Sequence, residues 1–169
     1  MSLEISRKPR VFNTKHNKLA IVASKYNEVY SDGLVDNAIE ELSEHLPQAR
    51  VDLVRVPGAF EIPVAIKALL ELEQPICAIA LGVIIQGETA HADLVARSVI
   101  DALQQLSLDY TTPVINEVLL VADEAQAHVR CLGDELNRGI EAARAAASMV
   151  EIFSELDRGG SLRTQPRDA

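Results

Sequence analysis

The chain has 169 residues, 48% of them hydrophobic and 24% charged, a composition that suits one soluble globular domain able to bury its own core. Sixteen Lys and Arg against 25 Asp and Glu give a formal net charge of -9, which repels a phosphate backbone and argues against a nucleic-acid partner. Two cysteines, Cys77 and Cys131, show no CxxC spacing, so neither a disulfide framework nor a metal site is expected. No run approaches the ~20 apolar residues of a membrane span, so a cytoplasmic protein is expected.

Residues 18–24 (KLAIVAS) form a short apolar run that empties into Lys25, Tyr26 and Asn27, the pattern of a buried strand followed by a loop. Ser31 and Asp32 read as a helix start, after which Leu34, Val35, Ala38, Ile39, Leu42 and Leu46 recur at helical spacing up to Pro47. Residues 50–56 (RVDLVRV) alternate as a strand, which Pro57, Gly58 and Ala59 break. Ile62, Ala65, Ile66, Leu69, Leu70 and Leu72 make a second helical stripe before Pro75. Residues 76–85 (ICAIALGVII) are the most continuously apolar stretch, as a central parallel strand covered on both faces requires. A long helix is predicted over 91–108 and a fourth strand over 114–121. Asp123 is placed to cap a short helix reaching Val129, and an alanine-rich helix over 140–156 follows Asn137, Arg138 and Gly139. The polar segment 157–169, with its Gly-Gly pair, reads as a disordered tail.

Strands alternating with helices predict an α/β fold: a three-layer α/β/α sandwich with a four-stranded parallel sheet, flavodoxin-like in topology, over residues 18–156. Ligands of such sheets bind beyond the carboxyl ends of the strands. That rule selects four segments: residues 24–27, 57–61 and 86–91, and Asn116 with Glu117 on the fourth strand.

The segment Gly87, Glu88, Thr89, Ala90, His91 puts a glycine, a hydroxyl and a histidine at the start of a long helix, where unpaired amides and the helix dipole attract an anion such as phosphate. His91 could move protons near neutral pH. The same residues admit a plainer reading in which Thr89 caps the helix and His91 is a surface residue of its first turn. Glu61, after Pro57, Gly58, Ala59 and Phe60, could accept hydrogen bonds from a polyol or merely complement a helix dipole. Arg130 and Arg138 flank a loop and would suit a phosphate, although loop arginines are commonly only solvated. Tyr26 could stack on a flat heterocycle while Asn27 hydrogen-bonds its edge, or the pair could simply favour a turn. No GxGxxG, Walker loop or GxSxG is present, which argues against dinucleotide, nucleotide-triphosphate and serine-hydrolase sites.

Residues 56–63 (VPGAFEIP) and 80–93 (ALGVIIQGETAHAD) together resemble the 6,7-dimethyl-8-ribityllumazine synthase family of riboflavin biosynthesis. Residues 24–27 (SKYN), 113–115 (PVI) and 137–139 (NRG) resemble further segments of that family, and the likeness runs from about Leu19 to Val150. The resemblance implies condensation of 5-amino-6-(D-ribitylamino)uracil with 3,4-dihydroxy-2-butanone 4-phosphate, without cofactor or metal. It assigns His91 to proton transfer and Tyr26 and Asn27 to the pyrimidine. Ala59, Phe60 and Glu61 go to the ribityl side, and Val83, Ile84 and Ile85 to the uracil edge. Gly87, Glu88, Thr89 and Arg130 go to the phosphate, with Asn116 and Arg138 also in the substrate site.

Three positions depart from the family pattern. Asn116 stands where an aromatic usually sandwiches the ring, Gln86 where Arg is usual, and Arg138 where Lys is usual. The resemblance further implies a homopentamer, extended in some members to decamers or icosahedral shells of sixty subunits. Active sites would be shared between neighbours, and an N-terminal arm, 1–17, would pair with the next subunit around Val11, Phe12 and Asn13. Asn116 and Gln86 motivate one alternative, a flavin- or lumazine-binding or shell-forming relative with reduced catalysis. A flavodoxin-like signalling domain would need acidic residues after the first strand, where Lys25, Tyr26 and Asn27 supply none.

Overall fold

Four parallel strands carry the chain: β1 (Lys18–Ser24), β2 (Arg50–Val56), β3 (Cys77–Ile85) and β4 (Val114–Val121), in the order β2-β1-β3-β4. The structure, a computed structural model, describes residues 17–157. The predicted arm and tail therefore lie outside the described residues, save for their innermost members Asn17 and Asp157. Helices α1 (Glu28–His45), α2 (Ile62–Leu72) and α3 (His91–Tyr110) make the three crossovers, and α4 (Glu124–Cys131) and α5 (Arg138–Asp157) follow β4. The order starts in the middle, steps outward to β2 and then reverses past β1. Crossovers of constant hand must switch faces at that reversal. Accordingly α1 and α5 cover one face, and α2 and α3 the other.

The central strands are apolar on both sides because both sides are covered. Leu19 and Ile21 of β1 enter the core with α1 and α5, whereas Ala20 and Val22 face α2 and α3. All of β3 from Cys77 to Val83 is buried, with each fully buried Leu or Ile contributing about 1.5–3 kcal/mol relative to exposure. Small residues let α1 approach both α5 and α4 closely. A Cβ on Gly139 of α5 would lie 2.5 Å from the Leu34 carbonyl of α1, and one on Gly33 would lie 2.7 Å from the Cys131 carbonyl.

Element limits follow the expected pattern with two instructive differences. Helix α1 begins at Glu28 rather than at Ser31, because Asn27 adopts a left-handed conformation (φ 56) and turns the chain immediately after β1. Ser31 is buried inside the helix and donates its hydroxyl to the Ser24 carbonyl at 2.5 Å, so it ties helix to strand instead of capping. Helix α5 begins at Arg138, two residues earlier than expected, because Asn137 Oδ1 accepts from the Gly139 and Ile140 amides at 3.0 and 3.2 Å. Asp123 caps α4 as predicted, accepting from the Gln126 amide at 2.8 Å. No helix among the described residues is long and apolar enough to cross a membrane.

Candidate active site

The carboxyl ends of β1, β2 and β3 open onto a cleft of about 370 Å³. Its floor is the last turn of β3, Val83, Ile84 and Ile85, where burial gives way to partial exposure. One wall comes from the segment after β2. Gly58 is extended and Ala59–Glu61 make a single 3-10 turn, into which the Glu61 carboxylate folds back to accept from the Gly58 amide at 2.9 Å. One carboxylate oxygen is thereby engaged in holding the turn. The other, Oε1, makes no hydrogen bond among the described residues, so it remains available to a hydroxyl.

Tyr26 closes a second side. The Lys25 amide donates to the Val56 carbonyl at 2.7 Å and the Tyr26 amide to the Pro57 carbonyl at 3.1 Å, so the turn after β1 is sewn to the end of β2. Asn27 lies one residue further and donates its amide to the Val83 carbonyl at 2.8 Å. Tyr26 and Phe60 are 74% and 63% exposed at the mouth, within reach of a flat ligand or a neighbouring chain.

The third side is the start of α3. Ala90 at its N-cap offers no side-chain acceptor, and Thr89 Oγ1 meets the His91 amide only at 3.4 Å. The first amides of the helix are therefore open to an anion. His91, the first residue of the helix, lines the cleft with Gly87 and Thr89, followed by Ala92 and Val95. Gln86 donates to the Asp93 carboxylate at 3.4 and 3.5 Å, a long contact between the preceding loop and the first turn of α3.

Ten sequence candidates thus meet in one cleft: Tyr26, Ala59, Phe60, Glu61, Val83, Ile84, Ile85, Gly87, Thr89 and His91. Asn27 braces its rim, whereas Glu88 is exposed in the loop and does not line it. Gly58, within the selected segment 57–61, lines it too, whereas sequence reasoning missed Ala92 and Val95. The helical spacing from His91 through Val95 was the signal that could have found them.

Asn116, Arg130 and Arg138 do not line this cleft. Asn116 pairs in register with Ala80, well short of the carboxyl end of β3, so the expectation that strand-end position selects it is corrected. Its Oδ1 accepts from the Val118 amide at 3.1 Å. Arg138 forms a fork on Glu117, Nε to Oε2 at 3.0 Å and Nη2 to Oε1 at 3.2 Å, and Nη1 reaches Glu141 at 2.5 Å. Glu117 is 8% exposed, and burial pushes its carboxyl up to about 7 against the opposing pull of Arg138. The cleft itself contains no Lys or Arg among its lining residues.

Comparison with known proteins places the chain in a family. Residues 16–154 match the model of the family described as 6,7-dimethyl-8-ribityllumazine synthase. The chain is 37% identical over 139 residues to the synthase of that name from Thermococcus kodakarensis, covering 82% of this chain and 88% of the relative. It is 40% identical over 138 residues to that of Thermococcus onnurineus, covering 82% and 90%. With the Leuconostoc mesenteroides protein of the same name identity is 32% over 150 residues, covering 88% and 96%. These relatives are all named for the synthase, so they do not favour the reading with reduced catalysis. The chain belongs to the 6,7-dimethyl-8-ribityllumazine synthase family, the transferases of riboflavin biosynthesis.

Proposed function

We propose that the chain joins 5-amino-6-(D-ribitylamino)uracil to 3,4-dihydroxy-2-butanone 4-phosphate in the cleft beneath α3, releasing phosphate and water. The observation that carries this reading is the convergence on one cleft of an apolar floor, two accessible aromatic rings, a carboxylate, a histidine and an uncapped helix start. Tyr26 stacks on the pyrimidine, and the backbone of Val83, Ile84 and Ile85 meets its edge. The ribityl hydroxyls donate to Glu61 beside Ala59 and Phe60. Phosphate sits on the amides near Gly87, Glu88 and Thr89.

The 5-amino group attacks the butanone carbonyl, and loss of water gives an imine. Proton removal from the hydroxyl-bearing carbon then expels inorganic phosphate from its neighbour, the resulting enol takes up a proton to become a ketone, the ribityl-bearing nitrogen attacks that new carbonyl, and a second water leaves as the ring closes. His91 relays protons in these steps. Holding two reactive molecules side by side supplies much of the acceleration as effective concentration. Amide donors at the phosphate stabilise the charge that departs with it.

The missing cation supports a site completed by a neighbouring copy, which brings Arg130 and Asn116 to the mouth of the cleft. Exposed Phe60, Val64 and Leu94 beside that mouth give the neighbour an apolar surface to cover. A homopentamer, alone or built into a decamer or a shell, fits this sharing, and light scattering after size-exclusion chromatography counts the subunits. Small polar substrates of this kind suit work in the cytoplasm. The deciding experiment is a steady-state assay of lumazine absorbance with both substrates against a protein-free control. Acceleration is expected, and a rate equal to the control defeats the proposal.

A further inference from the structure

Resting on that reading, we propose that Gln86 is a positioning residue that holds the Asp93 carboxylate off the open amides at the start of α3 and so keeps them for the phosphate of the substrate. Asp93 is the third residue of α3, the position from which an acidic side chain turns back to cap the amides before it. Ala90 at the N-cap brings no side-chain acceptor, and Thr89 Oγ1 reaches only the His91 amide, at 3.4 Å. The amides of residues 87–90, 92 and 93 donate to nothing among the described residues. A carboxylate at this position is the built-in rival of a phosphate, since both want the same donors and the same end of the helix dipole.

Asp93 does not cap. Gln86 Nε2 lies 3.5 Å from its Oδ1 and 3.4 Å from its Oδ2, so the amide group sits across both oxygens rather than on one. Gln86 can hold that place because its own backbone is fixed. Its amide donates to the Val121 carbonyl at 2.8 Å, one step past the last registered pair of β3 and β4, Ile85 with Val121, which makes Gln86 the last residue the sheet holds before the loop. Beyond it the loop stands clear, since a Cβ on Gly87 would meet nothing within 4 Å. Gln86 is thus the fixed point and Asp93 the movable group. Without the Gln86 amide, the Asp93 side chain is free to rotate about Cα–Cβ toward the amides it now leaves open, where it fills a donor and sets a negative charge beside the phosphate.

The test titrates inorganic phosphate calorimetrically into the wild type, Gln86→Leu, Asp93→Ala and the double variant, at one pH and one ionic strength. Both side chains are exposed, so neither change threatens the fold. Gln86→Leu is expected to weaken phosphate binding about tenfold, the loss of one charge-assisted hydrogen bond. Asp93→Ala binds phosphate as tightly as the wild type or more tightly, and the double variant matches Asp93→Ala. In turnover, KM for the phosphate-bearing substrate follows the same order, while kcat and KM for the aminouracil stay level. A contact that only braced the loop gives a different pattern, in which both single variants weaken binding and the double variant is no better than either. That pattern overturns the proposal, as does equal phosphate affinity in the wild type and Gln86→Leu, and neither result touches the proposed function while the wild type forms lumazine. A wild type and variants that show the expected order with phosphate but form no lumazine defeat the proposed function and leave the role of Gln86 standing.

Discussion

Asn27, held left-handed at the end of β1, donates its side-chain amide to the Val83 carbonyl at the end of β3, 2.8 Å away. One side chain thus fixes the relative position of the Tyr26 turn and the cleft floor. Asn tolerates the left-handed region better than most residues, so it supplies the turn and the brace together. Asn27→Gly keeps the turn and loses only the brace. We expect it to lower stability by about 1 kcal/mol in urea unfolding and to raise KM for the aminouracil more than it lowers kcat. Asn27→Ala should cost about 1 kcal/mol more, from the strained backbone. Equal stability of the two variants would show that the backbone conformation costs nothing.

His91→Ala is expected to slow turnover by about 10²-fold or less, because proton relay assists a condensation whose main acceleration is positioning. Single-turnover absorbance traces at saturating substrates check this. Abolished turnover in a folded variant, or an unchanged rate, contradicts the assigned role.

A buried ionic cluster ties α1 to α5. Glu41 accepts from Arg144 at 2.6 Å and contacts His45 Nε2 at 2.7 Å. Burial raises the Glu41 carboxyl, but the hydrogen bonds from Arg144 and His45 outweigh it and hold it below the usual range. A carboxylate with a depressed folded pKa contributes stability above its unfolded pKa, and that stability is lost as pH falls through the folded value. Glu41→Ala should destabilise by about 1–3 kcal/mol near neutrality, since it strands two partners. The deficit should shrink in strong acid, as followed by denaturant midpoints against pH.

Glu117 has the opposite sign. Its folded carboxyl is raised from 4.5 to about 7, so between those values the folded state holds a proton that the unfolded state has lost. Stability therefore falls as pH rises across that window, by about 3 kcal/mol if the whole difference is realised. Urea unfolding near pH 5 and pH 8 should show this loss in the wild type and its absence in Glu117→Gln.

Both thiols are fully buried, and burial pushes Cys77 up to about 12 and Cys131 up to about 11. Alkylating reagents attack thiolates. Neither cysteine should label in the native protein over times in which both label fully in urea, as intact mass would report.

Much of this molecule is legible from apolar rhythm. The limits of β1, β2 and β4 follow from short β-rich runs, and the continuous apolar stretch of β3 announces its central place. The cleft was equally accessible, because motifs that follow strands share one end of a parallel sheet. What escaped was set by contacts distant in sequence. Ser31 resembles a cap until the Ser24 carbonyl takes its hydroxyl. Glu41 and His45 look like surface residues on a helix until Arg144 arrives from 103 positions away. Gly33 and Gly139 give no local sign that another backbone lies against them, yet Gly139→Ala should cost about 1–3 kcal/mol through overpacking. That Arg138 rather than Arg130 carries the fork on Glu117 is invisible without the fold.

The bond from the Val118 amide to Asn116 Oδ1 bears on how this sheet meets other chains. Strand β4 pairs only with β3 among the described residues, and the Val118 amide, bonded to Asn116 instead of to β3, is one of the donors left on its outer side. Such a row is a template onto which a foreign strand can crystallise. Asn116 fills one rung of that template with its own side chain, so an arriving strand must first displace it. Asn116→Val would restore the rung and add β-propensity, favouring growth by strand stacking in concentrated solution.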